Sequence, residues 1–106
     1  MIYLDYAAST PVDPAVMRRI LEAGRWAASS YNAQPWRFLV ATRSDAAEFA
    51  AALECLVDAN RAWAQHAPVL VFVVARANFE HNEKPNRWAW HDCGQALAHI
   101  MLEAVS

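Results

Sequence analysis

The chain has 106 residues, 57% of them hydrophobic, which suffices for one small domain and leaves no room for a second. Its formal net charge of −2, with nine scattered Lys and Arg residues, argues against a nucleic-acid partner. The longest strongly apolar run, Val69–Ala75, is too short to cross a membrane, and the first residues lack a signal-peptide pattern, so we expect a cytoplasmic protein.

The start of the chain predicts an irregular segment, a helix and a polar loop. Residues 1–10 show no clear periodicity. Asp13 and Pro14 suit the N-cap and first position of a helix, because an aspartate oxygen can accept an unpaired backbone N–H there. Apolar residues at helical spacing continue this helix to about Ala27. The polar residues 29–35 then end it, because their side chains compete with the backbone for hydrogen bonds.

The middle of the chain predicts a strand followed by one or two helices. Trp36–Thr42 is rich in aromatic and apolar residues, which is typical of a strand. Ser44 or Asp45 can begin the next helix, and Glu48 is placed to complete a capping box with Asp45. A short further helix is expected over residues 60–67. The apolar stripe of the first of these helices consists of Phe49, Leu53, Leu56 and Val57.

The last third predicts a buried strand, a polar loop and a long helix. Val69–Ala75 is apolar throughout, as expected for a strand buried on both faces. Residues 76–85 are polar, and the long helix is expected over residues 86–104. Its apolar stripe consists of Trp90, Cys93, Leu97, Ile100, Met101 and Ala104.

Two strands joined by a helical connection suggest a parallel pair within an α+β fold. A lone pair of strands is marginal in water, so the strands should need neighbours from elsewhere. The chain also has five tryptophans, more than a small core readily hides. Some of them should face a partner subunit or an aromatic ligand, unless they crowd into a mixed core.

The loop between the first helix and the first strand is the strongest candidate site. It places two hydroxyls and two amides between residues 29 and 34. Such a cluster can donate and accept hydrogen bonds around the edge of a planar heteroaromatic ligand. The chemistry alone also allows a simple solvated loop.

A family resemblance favours the ligand-binding interpretation. Residues 29–36, Ser-Ser-Tyr-Asn-Ala-Gln-Pro-Trp, follow a helix and precede a strand, and together they resemble the signature of FMN-dependent nitroreductases. The likeness continues through residues 60–64 and 67–72 and resumes at 84–92, which resembles the start of the long central helix of that family. It covers residues 11–106, which we take as one partial nitroreductase-like domain after an N-terminal segment 1–10.

The resemblance implies an α+β fold with two core strands, flanking helices and a long C-terminal helix that forms a homodimer. FMN would lie at the dimer interface, NAD(P)H would reduce it, and a small nitroaromatic or quinone-type acceptor would reoxidise it. No catalytic side chain is implied, because the cofactor carries the chemistry. The residues matched to the flavin site are Ser29, Ser30 and Asn32 along the flavin, Gln34 and Trp36 in support of the loop, and Asn60 near the ring.

Departures from the family pattern keep a different class of function open. Ala28 stands where the family commonly has proline, and no arginine-rich segment precedes Thr10. A flavin phosphate without cationic partners loses much of its binding energy. The alternatives are a non-enzymatic dimeric scaffold or partner-binding remnant of the fold, and a piece that completes its sheet on another chain.

Other signals point elsewhere but are weaker. Residues 1–17 also resemble the start of cysteine desulfurases. Members of that family hold pyridoxal phosphate on a lysine, but Lys84, the only lysine, lies in the nitroreductase-like part. His91, Gln95 and His99 share a helix face and with Asp92 could suggest a metal site; a polar helix face is the preferred interpretation. The two cysteines are expected to be buried, reduced thiols: Cys55 and Cys93. Residues 78–84 are expected to be a solvated connection.

Overall fold

The structure, a computed structural model, describes residues 12–106. Its class is α+β, as predicted, and the predicted segment 1–10 lies outside the described residues. The third helix begins and ends earlier than expected, and the last helix begins after the predicted residue 86. The elements are α1 (Pro14–Arg25), β1 (Trp36–Thr42), α2 (Ala46–Glu54), α3 (Asp58–Ala64), β2 (Val69–Ala75) and α4 (Ala89–Ala104).

The two strands pair antiparallel, so the predicted parallel arrangement is wrong. The Arg43 backbone N–H donates to the Pro68 carbonyl at 3.3 Å, which places the end of β1 beside the start of β2. The Arg76 N–H donates to the Pro35 carbonyl at 2.7 Å, which places the end of β2 beside the start of β1. The helices α2 and α3 therefore return the chain to the end of the sheet that it left. A helical connection of this length permits a crossover but does not require one.

The chain forms two compact units, and the first contains residues 39–72. The Asp45 carboxylate caps α2 by accepting the Glu48 N–H at 3.1 Å, as predicted. Leu53 and Leu56 pack against the core of this unit, but Val57, predicted on the same stripe, is 67% exposed. Val57 has extended backbone angles before α3 and has left the helical repeat. The buried core consists of Ala41, Phe49, Ala64, Ala67 and Leu70.

The second unit contains residues 14–38 and 73–106, with α1 packed on α4. Two residues of the predicted apolar stripe of α4 are not covered within this unit, because Trp90 is 78% exposed and Met101 is 49% exposed. The helix carries two neighbouring apolar faces, and only one is covered within this unit. The covered face consists of Ala89, Asp92, Cys93, Ala96 and Ile100. Across residues 12–106, none of the helices is both long enough and apolar enough to span a membrane.

Candidate functional site

The loop after α1 holds an uncommon backbone conformation. Tyr31, Asn32 and Gln34 have φ angles of 54°, 51° and 48°, in the left-handed region. Asparagine tolerates this region, whereas a bulky side chain such as that of Tyr31 enters it at a cost of about 1–3 kcal/mol. Such a conformation persists only where the surrounding contacts hold it in place.

Hydrogen bonds within the loop stabilise this conformation in part. The Ser29 hydroxyl oxygen accepts the Gln34 backbone N–H at 3.0 Å, and the Ser29 carbonyl accepts the Asn32 N–H at 3.0 Å. The Gln34 side-chain amide donates to the Asn32 Oδ1 at 3.2 Å. The Ser30 carbonyl accepts the Ala33 N–H at 3.0 Å. The structure thus brings together four of the predicted site residues, which are Ser29, Ser30, Asn32 and Gln34.

A buried carboxylate on α4 also stabilises the loop conformation. Asp92 is 3% exposed, and its Oδ2 accepts the Ser30 backbone N–H at 2.9 Å. Its Oδ1 lies 3.1 Å from the His91 Nδ1. From the sequence, Asp92 was considered only as part of a metal site, and its contact with the loop was not predicted. The available signal was its spacing with Ala89 and Cys93, which places a carboxylate on the buried face of the helix.

The described residues provide no group of three His, Cys, Asp or Glu side chains suited to hold a metal ion. The His91 side chain instead contacts Asp92 and Gln95, and the His99 Nδ1 lies 3.1 Å from the Ala23 carbonyl. These contacts give both histidines hydrogen-bond partners within this unit.

A groove of about 640 Å³ opens beside the loop. Two arginines contribute to its wall, and both are paired with glutamates: Arg25 with Glu22 at 2.7 Å, and Arg37 with Glu80. Arg37 also donates to the Gln34 carbonyl at 3.1 Å. The lining residues are Leu21, Arg25, Asn32, Ala33, Gln34, Trp36, Arg37, Phe38 and Glu80. The groove therefore combines side-chain amides, charged groups and aromatic surface.

Two other predicted site residues take different positions. Trp36 is 5% exposed and belongs to the core of the second unit. It lines the floor of the groove and suits the supporting role that the resemblance implies. Asn60 lies in the first unit, exposed within α3. Its assignment continues to rest on the resemblance.

An aromatic cluster flanks the loop and was not expected from the sequence. The Tyr31 ring is 84% exposed and meets the Phe79 ring edge-on, with centroids 5.6 Å apart. His81 lies 6.3 Å from Tyr31 and 5.3 Å from Phe79. The segment that carries Phe79 and His81 is closed by an antiparallel bridge between Asn78 and Pro85. The connection predicted as solvated is therefore exposed but ordered against Tyr31.

The Cys93 thiol, next to Asp92 in sequence, is not activated as a nucleophile. Burial, followed by the Asp92 carboxylate, raises the pKa of the Cys93 thiol, and the Arg37 guanidinium only partly opposes this. Cys93 thus remains protonated and buried, as predicted. Cys55 is exposed, so the prediction that it is buried is wrong. It directly follows the last residue of α2, and its thiol donates to the Ala51 carbonyl at 3.5 Å.

Comparison with known proteins supports one family. The model of the Nitroreductase family matches residues 5–106. No curated protein sequence matches the chain. A solved oxidoreductase that contains FMN is similar, with a TM-score of 0.84 and 30% identity over 97% of this chain and 52% of that protein.

Two further solved structures share the fold. A protein from Desulfovibrio desulfuricans, assigned as a nitroreductase and solved with FMN, has a TM-score of 0.72 and 28% identity over 92% of this chain and 53% of its own. A protein from Bacteroides thetaiotaomicron, assigned as an NADH dehydrogenase/NAD(P)H nitroreductase, has a TM-score of 0.73 and 22% identity over 96% and 55%. This chain thus spans about half the length of each protein. With the family match across residues 5–106, it belongs to the nitroreductase family.

Proposed function

We propose that this chain binds FMN through the loop at residues 29–34 and acts as an NAD(P)H-dependent oxidoreductase on nitroaromatic or quinone-type acceptors. The observation that supports this most is the internal bonding of the loop, which holds Ser29, Asn32 and Gln34 together. A preorganised polar loop loses little conformational entropy when it binds a planar ligand.

The loop chemistry fits the edge of an isoalloxazine ring. The Asn32 Oδ1 already accepts the Gln34 amide, so the Asn32 Nδ2 group can serve a ligand as a donor. The hydroxyl of Ser30 can donate or accept. When bound, the flavin would supply hydride transfer and electron storage, while these side chains would orient its ring.

The phosphate of the flavin requires a separate partner. The arginines that line the groove are Arg25 and Arg37, and a glutamate already neutralises each. A phosphate there would have to compete with Glu22 and Glu80, which are both on the exposed surface. The groove can thus accept the phosphate only by exchanging ion pairs, which predicts weak FMN binding that falls with salt.

A homodimer through α4 is the second part of the proposal. Trp90, Leu97 and Met101 follow helical spacing and form an apolar stripe, which we call the α4 stripe. Trp90 is 78% exposed and Met101 is 49% exposed. Between them, a side chain added at Gly94 would meet no atom within 4 Å, so a partner helix could approach closely there. The family resemblance implies that FMN lies at such an interface.

The free thiols also fit the cytoplasmic location that we propose. Cys55 and Cys93 are unpaired in the described part of the chain. Reduced thiols are typical of that compartment.

The first test is the visible spectrum of the purified protein before and after FMN is added and the excess removed. We expect a retained flavin band, followed by NAD(P)H-dependent reduction of a nitroaromatic or a quinone. Asn32→Ala should weaken retention, whereas Asp45→Asn, which changes a helix cap in the first unit, should leave it unchanged. Absence of bound flavin at high micromolar concentration would overturn the oxidoreductase proposal.

The α4 stripe favours a second candidate if flavin is not retained. A non-enzymatic dimeric scaffold needs only a self-complementary apolar face and no cofactor. The two candidates separate cleanly, because the scaffold should dimerise without flavin and show no NAD(P)H oxidation. A protein that neither dimerises nor binds flavin would contradict both.

A further inference from the structure

We propose that Asp92 is a positioning residue for the flavin loop and sets the backbone conformation in which the loop binds FMN. The proposal rests on the proposed function of the loop. It assigns to the first turn of α4 a role in the site, although Asp92 is 62 positions away from Ser30 in sequence.

The Asp92 carboxylate occupies a position where a charged group is unfavourable. Asp92 is 3% exposed, and burying a charge is unfavourable unless it is paired or hydrogen-bonded. Two contacts and a helix end compensate: the Ser30 N–H at 2.9 Å, the His91 Nδ1 at 3.1 Å, and the positive end of the α4 dipole. A small apolar residue would pack on this buried face at lower cost. The use of a carboxylate here therefore points to its contact with the loop.

That contact fixes the point from which the left-handed turn starts. Ser30 immediately precedes Tyr31 and Asn32, whose φ angles are 54° and 51°. A charge-assisted hydrogen bond from a backbone N–H to a buried carboxylate is stronger than a neutral one. Without it, the Ser30 N–H loses its partner in a partly buried position, and Tyr31 gains by returning to negative φ. The loop would then have to be reordered each time it binds a ligand.

The test compares Asp92→Ala, Asp92→Asn and a matched control on the same helix face, Cys93→Ala. The first readout needs no flavin: hydrogen exchange of the Ser30 amide, measured by NMR. The second is the FMN dissociation constant, measured by fluorescence quenching.

We expect Asp92→Ala to speed Ser30 exchange at least tenfold and to weaken FMN binding about tenfold, which corresponds to about 1.4 kcal/mol. Asp92→Asn keeps an acceptor oxygen for the Ser30 N–H, so it should retain most of the protection and the affinity. Cys93→Ala should lower the free energy of unfolding but leave Ser30 exchange and FMN affinity close to wild type. If Asp92→Ala fails to fold, Asp92→Leu, which is close in size to aspartate and also removes the acceptor oxygens, takes its place in the comparison with Cys93→Ala.

The outcomes are separable. Unchanged Ser30 exchange in Asp92→Ala, or equal effects from Cys93→Ala, would overturn the inference even if FMN binds. If the wild-type protein binds no FMN, the proposed function fails first and the flavin role of Asp92 fails with it. Faster Ser30 exchange in Asp92→Ala would then show only that Asp92 stabilises the loop conformation.

Discussion

At the residue scale, the two cysteines show how burial controls the reactivity of a thiol. Cys93 lies on the covered face of α4 and is 6% exposed. Cys55 directly follows α2 and is exposed. Thiols react as thiolates, so burial and a raised pKa both slow the reaction of Cys93. Both cysteines were expected to be buried from the sequence, where each follows an acidic residue, Glu54 or Asp92.

A thiol reagent should therefore modify the folded chain in two phases. At about pH 8, Cys55 should react fast and Cys93 slowly, because burial and Asp92 raise the Cys93 pKa and reduce its thiolate fraction. The Cys93 rate should still rise with pH above 9.0, because its pKa lies above that ordinary value. Cys55→Ser should remove the fast phase and Cys93→Ser should retain it. Equal rates for both thiols in the folded protein would contradict this.

The same shift makes a small contribution to stability that depends on pH. The folded pKa of Cys93 lies above its ordinary value of 9.0, so the folded chain holds this proton more tightly than the unfolded chain does. The contribution is fully present below pH 9.0 and is lost as the pH rises through the folded pKa. Relative to Cys93→Ala, the wild type should lose stability faster on alkaline titration, as measured by urea unfolding. Parallel pH profiles would contradict this.

At the element scale, α1 and α4 meet at a glycine. A Cβ at Gly24 would lie 2.9 Å from Ile100 and 3.0 Å from Phe38, so this crossing leaves no room for a methyl group. A Cβ at Gly94, within α4, would meet nothing within 4 Å. The two glycines of the chain thus have opposite environments, although each lies within a helix.

Gly24→Ala and Gly94→Ala should accordingly change stability in opposite directions. Gly24→Ala should lower the free energy of unfolding by about 1–2 kcal/mol, because overpacking outweighs the better helix propensity of alanine. Gly94→Ala should raise it by about 0.5–1 kcal/mol in the monomer, because only the propensity term applies. Urea denaturation measures both, and losses of similar size would show that the α1–α4 contact is looser than described.

Local elements could be predicted from the sequence because local chemistry specifies them. The cap at Asp45 and the apolar run Val69–Ala75 are examples. Strand direction could not be predicted, because it depends on where α2 and α3 return the chain. The loop 29–34 was found from its residues and its family likeness, but its anchor Asp92 was missed. Helical spacing places Asp92 on the buried face of α4, but it does not show which distant residue the carboxylate contacts.

At the scale of the whole molecule, α4 joins two features that the proposed function needs. Its buried face carries Asp92, which contacts the loop, and the neighbouring α4 stripe begins two residues earlier at Trp90. On a helix with about 100° per residue, the stripe lies roughly a quarter turn from the buried face. The side of α4 that holds the loop is thus distinct from the side available to a partner. If the loop binds FMN at a subunit interface, flavin binding and dimerisation should be coupled, and each should strengthen the other by the same factor.

The dimer can be tested with two glutamate substitutions on α4. Met101→Glu places a charge within the α4 stripe and should shift the protein from a dimer toward the 11.9 kDa chain, because a buried unpaired charge is costly at an interface. The matched control, Leu102→Glu, changes a residue that is 68% exposed and lies about 100° around the helix, so the dimer should persist. Sedimentation velocity gives the masses, and FMN titration of the same samples should show weaker binding only for Met101→Glu. If the dimer persists in Met101→Glu, or if both variants dissociate equally, the interface lies elsewhere. The proposed coupling between dimerisation and FMN binding would then also be contradicted.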